Sequence, residues 1–227
     1  VEGYNRAAST LNLLRAFTKG GYADRTQVHL WNKDGGSSSP EGRGYDQLAG
    51  EIERRLGIAD RLAACIRDPR APERTVHGLD AIIRFRMLMI AAGYEDGVDA
   101  DSLRADPIFK LAMDRLPEQR NLCSQSTVSH AENLPDLRAL LRMGRAMVDH
   151  YCESFRQVPR RIVLDIDDTF DAVHGGQQLR LFNAYYDEYG FQPIVVFDDE
   201  GRMIAAILRP AARPDGRQIV AWLQRLI

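Results

Sequence analysis

From about residue 161 the hydrophobic period of this chain changes, and that change limits what it can fold into. Upstream, apolar residues recur at helical spacing. Residues 77 to 93, HGLDAIIRFRMLMIAAG, form a strongly apolar helical stretch that stops at a glycine. Residues 5 to 19 and 45 to 65 carry helical stripes, Leu11, Leu14 and Phe17 in the first and Leu48, Ile52, Leu56 and Leu62 in the second. Residues 99 to 113 repeat the pattern, 124 to 133 open on hydroxyl residues suited to capping, and 135 to 155 predict an amphipathic helix with Leu137, Leu140, Leu141, Met147 and Val148 on its apolar side. Downstream, residues 161 to 166 alternate like a strand. Residues 191 to 210, FQPIVVFDDEGRMIAAILRP, predict a hairpin turning at DDEG, and 213 to 227 a helix with Pro214 and Asp215 near its start. The expected fold is a mainly α N-terminal region followed by the start of an α/β domain (strand, hairpin, helix), truncated, because three strands and a helix make a poor complete domain.

Composition narrows the classes further. The chain has 227 residues, 44% of them apolar, which suffices for one large domain or two smaller ones. A net charge of −2 gives no global sign of a nucleic-acid binder, so local patches would have to decide. Three scattered cysteines, Cys65, Cys123 and Cys152, lack the spacing of a disulfide framework or zinc site and predict a reducing cytoplasm. No apolar run approaches the length of a membrane span. Residues 33 to 44, KDGGSSSPEGRG, are the best linker.

The chemistry concentrates in IVLDIDDTFDAVHGGQQ, residues 162 to 178. Asp165 and Asp167 stand at i and i+2 of the predicted strand and so share a face. Two carboxylates there repel unless a cation neutralises them, and Mg²⁺ or Mn²⁺ takes such oxygen ligands. A turn in which Asp and Thr cap the next segment is the plain alternative.

LDIDDT fits the DxDxT opening of haloacid-dehalogenase-like phosphatases. That resemblance would make Asp165 the nucleophile and Asp167 the acid/base. It also implies a downstream lysine, and no lysine follows Lys110. The longer stretch from LDIDDTFDAVHGGQQ through LRLFNAYYDEYGFQPIVVFDDEGR resembles the DDE transposases of bacterial insertion sequences, in the group whose core reads LDxDxT, HGxQ and FNxxYxxxGxxPxxVF. RLGIADRLAACIRDPR and LCSQSTVSHAENLP resemble its N-terminal part, so the likeness covers about residues 53 to 227.

The resemblance implies an RNase H-like catalytic domain. It also implies Mg²⁺ or Mn²⁺, cleavage of a phosphodiester at the element end, and transfer of the freed 3′-hydroxyl to target DNA. Only the first acid of the triad carries over, as Asp167 with Asp165 the close alternative, both metal ligands. The second and third acids would lie beyond Ile227, so this chain alone is expected to be inactive. Asp187, Asp198, Asp199 and Asp215 suit turns or caps. His174, Gln177 and Asn183 are candidates for contacting DNA or ordering the site.

SQSTVSHAEN resembles a helix-turn-helix recognition helix, with Ser126, Thr127, Ser129 and His130 able to reach phosphates or base edges. Arg138, Arg142 and Arg145, at i, i+4 and i+7 of the next helix, form a stripe that either tracks phosphates or is a solvated face. The implied partner is DNA, both terminal inverted repeats and target, and self-association is compatible with it. A DNA-binding remnant without catalysis is the non-enzyme alternative.

The first fifty residues differ. VEGYNRAASTLNLLRAFTKGGYADRTQVHLWNKD resembles an internal segment of class II 3-deoxy-D-arabino-heptulosonate 7-phosphate (DAHP) synthase, with Arg25 and Thr26 departing from that pattern. A TIM barrel needs about 250 residues, so synthase activity is not expected of fifty. The organisation read from the sequence is a synthase-like remnant plus linker at 1–50, a helical DNA-binding-like region at 51–158 and a truncated RNase H-like domain at 159–227. A gene fusion joining near residues 46 to 55 explains it. Such a join predicts that residues 1 to 44 pack poorly on the remainder, with residues 8 to 18 as the helix to probe. Their amides should exchange faster than those of the 77–93 helix in a hydrogen-exchange experiment, and equal protection would refute the fusion.

Overall fold

The computed structural model describes residues 49–94, 96–173, 180–212 and 216–226. The helix predicted over 5–19 and the linker at 33–44 lie outside them. Among the described residues the chain divides into two compact units, one ending at Met143 and one beginning at Gly144.

The first unit is helical. Residues 49–56 (α1) run to Gly57, whose φ of 64° sits in the left-handed region and breaks the helix predicted over 45–65. Ile58–Ala64 (α2) follows, and Leu79–Ala91 (α3) is the hub. Leu79, Ile82, Ile83, Phe85, Met87, Leu88, Met89 and Ile90 of α3 are all buried, so the helix is covered nearly all round, as its uninterrupted apolar sequence requires. The 99–113 stretch is two short helices, Ala100–Leu103 (α4) and Pro107–Ala112 (α5). Asp106 starts α5 by accepting from the backbone of Ile108 at 2.7 Å, with Pro107 at the first helical position. Phe109 of α5 meets Phe85 edge-on at 5.8 Å between centroids. Gln125–Glu132 (α6) packs on α3. Leu137–Glu153 (α7) begins in this unit, where Asp136 accepts from the amide of Ala139 at 2.7 Å.

Buried charges in this unit are matched by partners. Glu53, 4% exposed, accepts from the Ala59 amide at 2.7 Å, capping α2, and from Arg84 at 2.6 Å. Arg84 also reaches Asp60.

The second unit is a small mixed one. Leu164–Asp168 (β1) has the alternation its sequence predicts, with Leu164 and Ile166 inward. Two short strands, Asp171–Ala172 (β2) and Leu181–Asn183 (β3), flank Glu188–Phe191 (β4) in an antiparallel sheet of order β2-β4-β3. Ile194–Asp198 (β5) and Met203–Ile207 (β6) form the hairpin, and β1 pairs antiparallel with β5 to give the order β1-β5-β6. Asp198–Gly201 make the turn, Gly201 at φ 80°. A register shift between Val196 and Phe197 places both Ile204 and Ala205 in the core. Gly216–Leu226 (α8) sets Ile219 against that core. Pro214 and Asp215, expected near the start of this helix, fall outside the described residues.

Two differences from the sequence reading have simple causes. The β2-β4-β3 sheet was not expected, because its strands are two to four residues long and built of aromatics and polar residues without a buried alternation. On α7 the buried residues are Ala139, Met143, Met147 and Tyr151, spaced by four, whereas Leu137 and Leu141 are exposed at 72% and 61%. The stripe is thus shifted off the leucines by about half a helix face.

The turn at Asp198 fastens α7 to the sheet. The Tyr151 hydroxyl donates to Asp198 at 3.1 Å, Arg202 donates to it from its backbone at 2.8 Å and its Nε at 2.7 Å, and the Arg202 guanidinium lies 4.4 Å from the Phe155 ring centroid. Burial pushes the Asp198 carboxyl up, but these donors outweigh it and leave it below the usual carboxylate value, while the Tyr151 phenol is pushed up to about 12 by burial and its bond to Asp198. A carboxyl depressed on folding stabilises above its unfolded value, and that contribution is lost as pH falls through the folded one. Asp198→Asn should therefore cost this unit about 2 kcal/mol at pH 7, and the cost should shrink below pH 4 in urea melts. Independently, a Cβ on Gly50 would stand 2.6 Å from the Ala112 carbonyl oxygen. Gly50→Ala should lower the urea midpoint of the helical unit despite the better helix propensity of alanine.

Candidate functional site

The three carboxylates at the end of β1 do not share one environment. Packing of Leu164 and Ile166 against the core forces Asp165 and Asp167 onto the opposite face, where both are exposed. Their antiparallel partners are Phe197 and Val195, so the acids stand beside partly buried apolar side chains rather than cations. No hydrogen bond or ion pair occupies either carboxylate among the described residues. Two adjacent free carboxylates on a fixed strand fit part of the shell of a hard divalent cation. Among the described residues no group of three or more His, Cys, Asp or Glu could hold a metal ion.

Asp168 faces the other way and is tied down. The Gln192 amide donates to it at 2.7 Å. Gln192 is 8% exposed and carries a small network: its backbone exchanges hydrogen bonds with Arg209, and its side-chain oxygen accepts from Asn183 at 3.4 Å. Asn183 also accepts from the Tyr185 amide at 3.0 Å, so it orders this corner from β3. Partial burial pulls the Arg209 guanidinium down, and Asp168 acts against that. The Thr169 amide donates to Pro193 at 3.1 Å. Gln192 and Arg209 do not stand out in the sequence; a glutamine just before the apolar run PIVVF was the available signal. His174 and Gln177 lie outside the described residues. Asp187, at φ 55°, takes a turn position, and Asp199 is exposed beside the Asp198 turn.

In the helical unit, Ser126 and His130 of α6 are exposed, and Thr127 and Ser129 half-buried. The Ser124 hydroxyl pairs with those of Ser126 and Thr127, both at 3.0 Å. Val128 and Ala131 form the inward face, and Glu132 accepts from Arg86 of α3 at 2.8 Å. Arg86 is 1% exposed and also donates to the Tyr94 carbonyl at 3.2 Å. Of the basic stripe, Arg138 is exposed. Arg142 donates twice to the Cys65 carbonyl, at 3.1 and 2.8 Å, at the end of α2. Arg145 lies 3.8 Å from Asp149. Cys65, Cys123 and Cys152 are free thiols. Among the described residues no helix is long and apolar enough to cross a membrane.

The family described as Transposase DDE domain, group 1, matches residues 24–227. The chain belongs to this DDE transposase family. Its match begins upstream of the join expected near residues 46 to 55. A short N-terminal segment is also similar to phospho-2-dehydro-3-deoxyheptonate aldolases, another name for DAHP synthase. The Streptomyces coelicolor enzyme is 56% identical over 66 residues, 29% of this chain, and the AroG enzyme of Mycolicibacterium smegmatis 43% identical over 67 residues, 27% of this chain. The chain spans 14% of the length of each of these curated relatives. No solved structure matches.

Within this DDE transposase chain, the buried Arg86 of α3 pairs with Glu132 of α6 and ties the two helices together. Glu132→Gln removes a carboxylate that accepts from the buried Arg86 guanidinium and should cost about 3 kcal/mol. The apolar pair Arg86→Met with Glu132→Leu should recover most of that loss. Urea melts of the two single variants and the double variant measure the coupling.

Proposed function

We propose that this chain carries the DNA-binding region and the opening of the RNase H-like catalytic domain of a DDE transposase, and that by itself it does not cleave DNA. Family membership supports the transposase part. The observation that carries the catalytic part is the pair Asp165 and Asp167, both exposed and unpartnered on β1 of a β1-β5-β6 antiparallel sheet followed by α8. A strand, an antiparallel hairpin and a helix is the order such a catalytic domain opens with. In this reading residues 51–158 contact DNA through Ser126, Thr127, Ser129 and His130, with Arg138, Arg142 and Arg145 on the following helix, and residues 159–227 hold the first acid.

Asp167, with Asp165 beside it, would hold Mg²⁺ or Mn²⁺, which when bound supplies Lewis acidity at a phosphodiester. The residues of this chain supply two carboxylates and their orientation. Gln192 and Asn183 position Asp168 and so the end of the strand. Further acids are needed to close the shell, which is why the chain alone is expected to be inert.

The phosphatase reading has the same two aspartates but no lysine downstream of Lys110 to stabilise a phosphoenzyme. The aldolase-like segment is a small fraction of a barrel and carries no synthase activity in this reading. A DNA-binding remnant without catalysis is the second reading, favoured by the incomplete acid set among the described residues.

Titrating Mn²⁺ into isotope-labelled chain tests the metal half. Amide signals of residues 164–169 should broaden selectively, Asp167→Asn should abolish the effect, and Asp165→Asn should weaken it. Uniform or absent broadening would sink the site. Nicking of supercoiled plasmid by the chain with Mg²⁺ would show that the chain is not inert.

A further inference from the structure

Residues 154 to 163 join α7 to β1, and their charge differs from that of the rest of the second unit. Phe155 near one end and Leu164 just past the other pack on the same core of Tyr151, Ile194, Val196, Ile204 and Ala205. The Phe155 ring meets Tyr151 edge-on at 5.1 Å between centroids. The chain between these two anchors has no helix or strand and runs over the surface. Pro159 fixes its own φ and biases Val158 toward an extended backbone, so the connector does not continue α7. Arg156, Arg160 and Arg161 are all exposed, and so are Val158, Ile162 and Val163.

Among the described residues none of these three arginines forms an ion pair or a hydrogen bond. No acid lies between Glu153 and Asp165. The chain beyond has the opposite balance, with nine acids and three arginines between residues 165 and 212. The β1-β5 register sets Leu164 beside the Asp198 turn, where Arg202 engages Asp198 at 2.7 Å and Glu200 at 3.3 Å, leaving Asp199 exposed. Three like charges within six residues repel one another, and a row of anions relieves that repulsion. The acidic remainder of the unit, by contrast, repels a polyanion from Asp165 and Asp167 unless a neighbouring cationic surface holds it. Arg161 is four residues from Asp165, a chain length of at most about 14 Å. One DNA strand places about four phosphates over that distance.

We propose that Arg156, Arg160 and Arg161 form a surface that grips the backbone of duplex DNA and holds it within a few nucleotides of Asp165 and Asp167. The surface rests on the transposase reading above and adds to it a contact outside the α6 residues and the Arg138, Arg142 and Arg145 stripe. Its partner is duplex DNA rather than a free phosphate ion, because arginines strung along a connector match a row of phosphates.

The test is binding of a short random-sequence duplex to the full chain, by fluorescence anisotropy across a salt series with divalent metal removed by chelator. The decisive variant is Arg160→Gln with Arg161→Gln, with unchanged far-UV circular dichroism as the folding control. Arg217→Gln with Arg225→Gln, exposed on α8 of the same unit, removes the same charge elsewhere. The connector variant should weaken binding about tenfold near 0.1 M salt and flatten the slope of log K against log salt by about 0.9 for each phosphate no longer neutralised, while the α8 variant stays within about twofold of the wild type. Adding Arg156→Gln should flatten the slope by a further step, and an unchanged slope overturns the place of Arg156 in the surface. Inorganic phosphate should compete no better than sodium chloride of equal ionic strength. Equal losses in the connector and α8 variants, or no loss in the connector variant, overturn the surface and leave the metal half of the transposase reading, which the Mn²⁺ experiment tests separately. Selective competition by inorganic phosphate overturns the assignment to duplex DNA. A wild-type chain that binds no duplex overturns the surface and the DNA-binding reading together.

Discussion

Pairing of β1 with β5 in one register sets where the carboxylates of these two strands can go. Leu164 and Ile166 pack against Tyr151, Ile194, Val196, Ile204 and Ala205, and side chains along a strand alternate strictly. A slip of one residue would drive Asp165 and Asp167 into that core and turn two apolar residues outward. Burying an unpaired carboxylate costs several kcal/mol, so the slipped register is closed to this chain. The same alternation turns Asp168 inward, and Gln192 is the group that satisfies it. Opposite Leu164, Asp198 is buried as well, and it is tolerated there only because Arg202 and Tyr151 donate to it. One register thus produces two free acids and two bound ones.

The helical unit follows a related rule with different geometry. Its buried charges each satisfy a place where backbone groups would otherwise be orphaned. Glu53 caps α2, Arg86 holds the Tyr94 carbonyl while pairing with Glu132, and Lys110 gathers the carbonyls of Pro117 and Gln119, while the exposed Arg142 closes the end of α2 at Cys65. These bonds hold α6 against α3 and fix the segment that follows α5. The Nε of half-buried Arg104 has no hydrogen-bond partner among the described residues, while its Nη1 lies 3.8 Å from Asp101.

Helical period was enough to read α3, α6 and α7, and alternation with a DDEG turn was enough for β1 and the β5-β6 hairpin, because those segments have cores to face and end at residues with definite turn chemistry. It was not enough where burial is decided by a neighbour. Leu137 and Leu141 look like core residues and are exposed, since the buried line of α7 runs through Ala139, Met143, Met147 and Tyr151. The small β2-β4-β3 sheet escaped because short strands of Tyr, Phe, Asn and Asp carry no one-sided apolar pattern. The acidic pair was legible from its i, i+2 spacing alone. Gln192 and Arg209 were not, because their partners lie in distant segments.

The sequence by itself determined the family, the change from helix to sheet and the common face of Asp165 and Asp167, since each depends only on residue order and on the fixed geometry of a local element. Tertiary structure alone decided which carboxylates stay free and which are bound. A charge is neutralised or left free according to what comes within about 3 Å of it, and that is settled by packing between segments far apart in the chain.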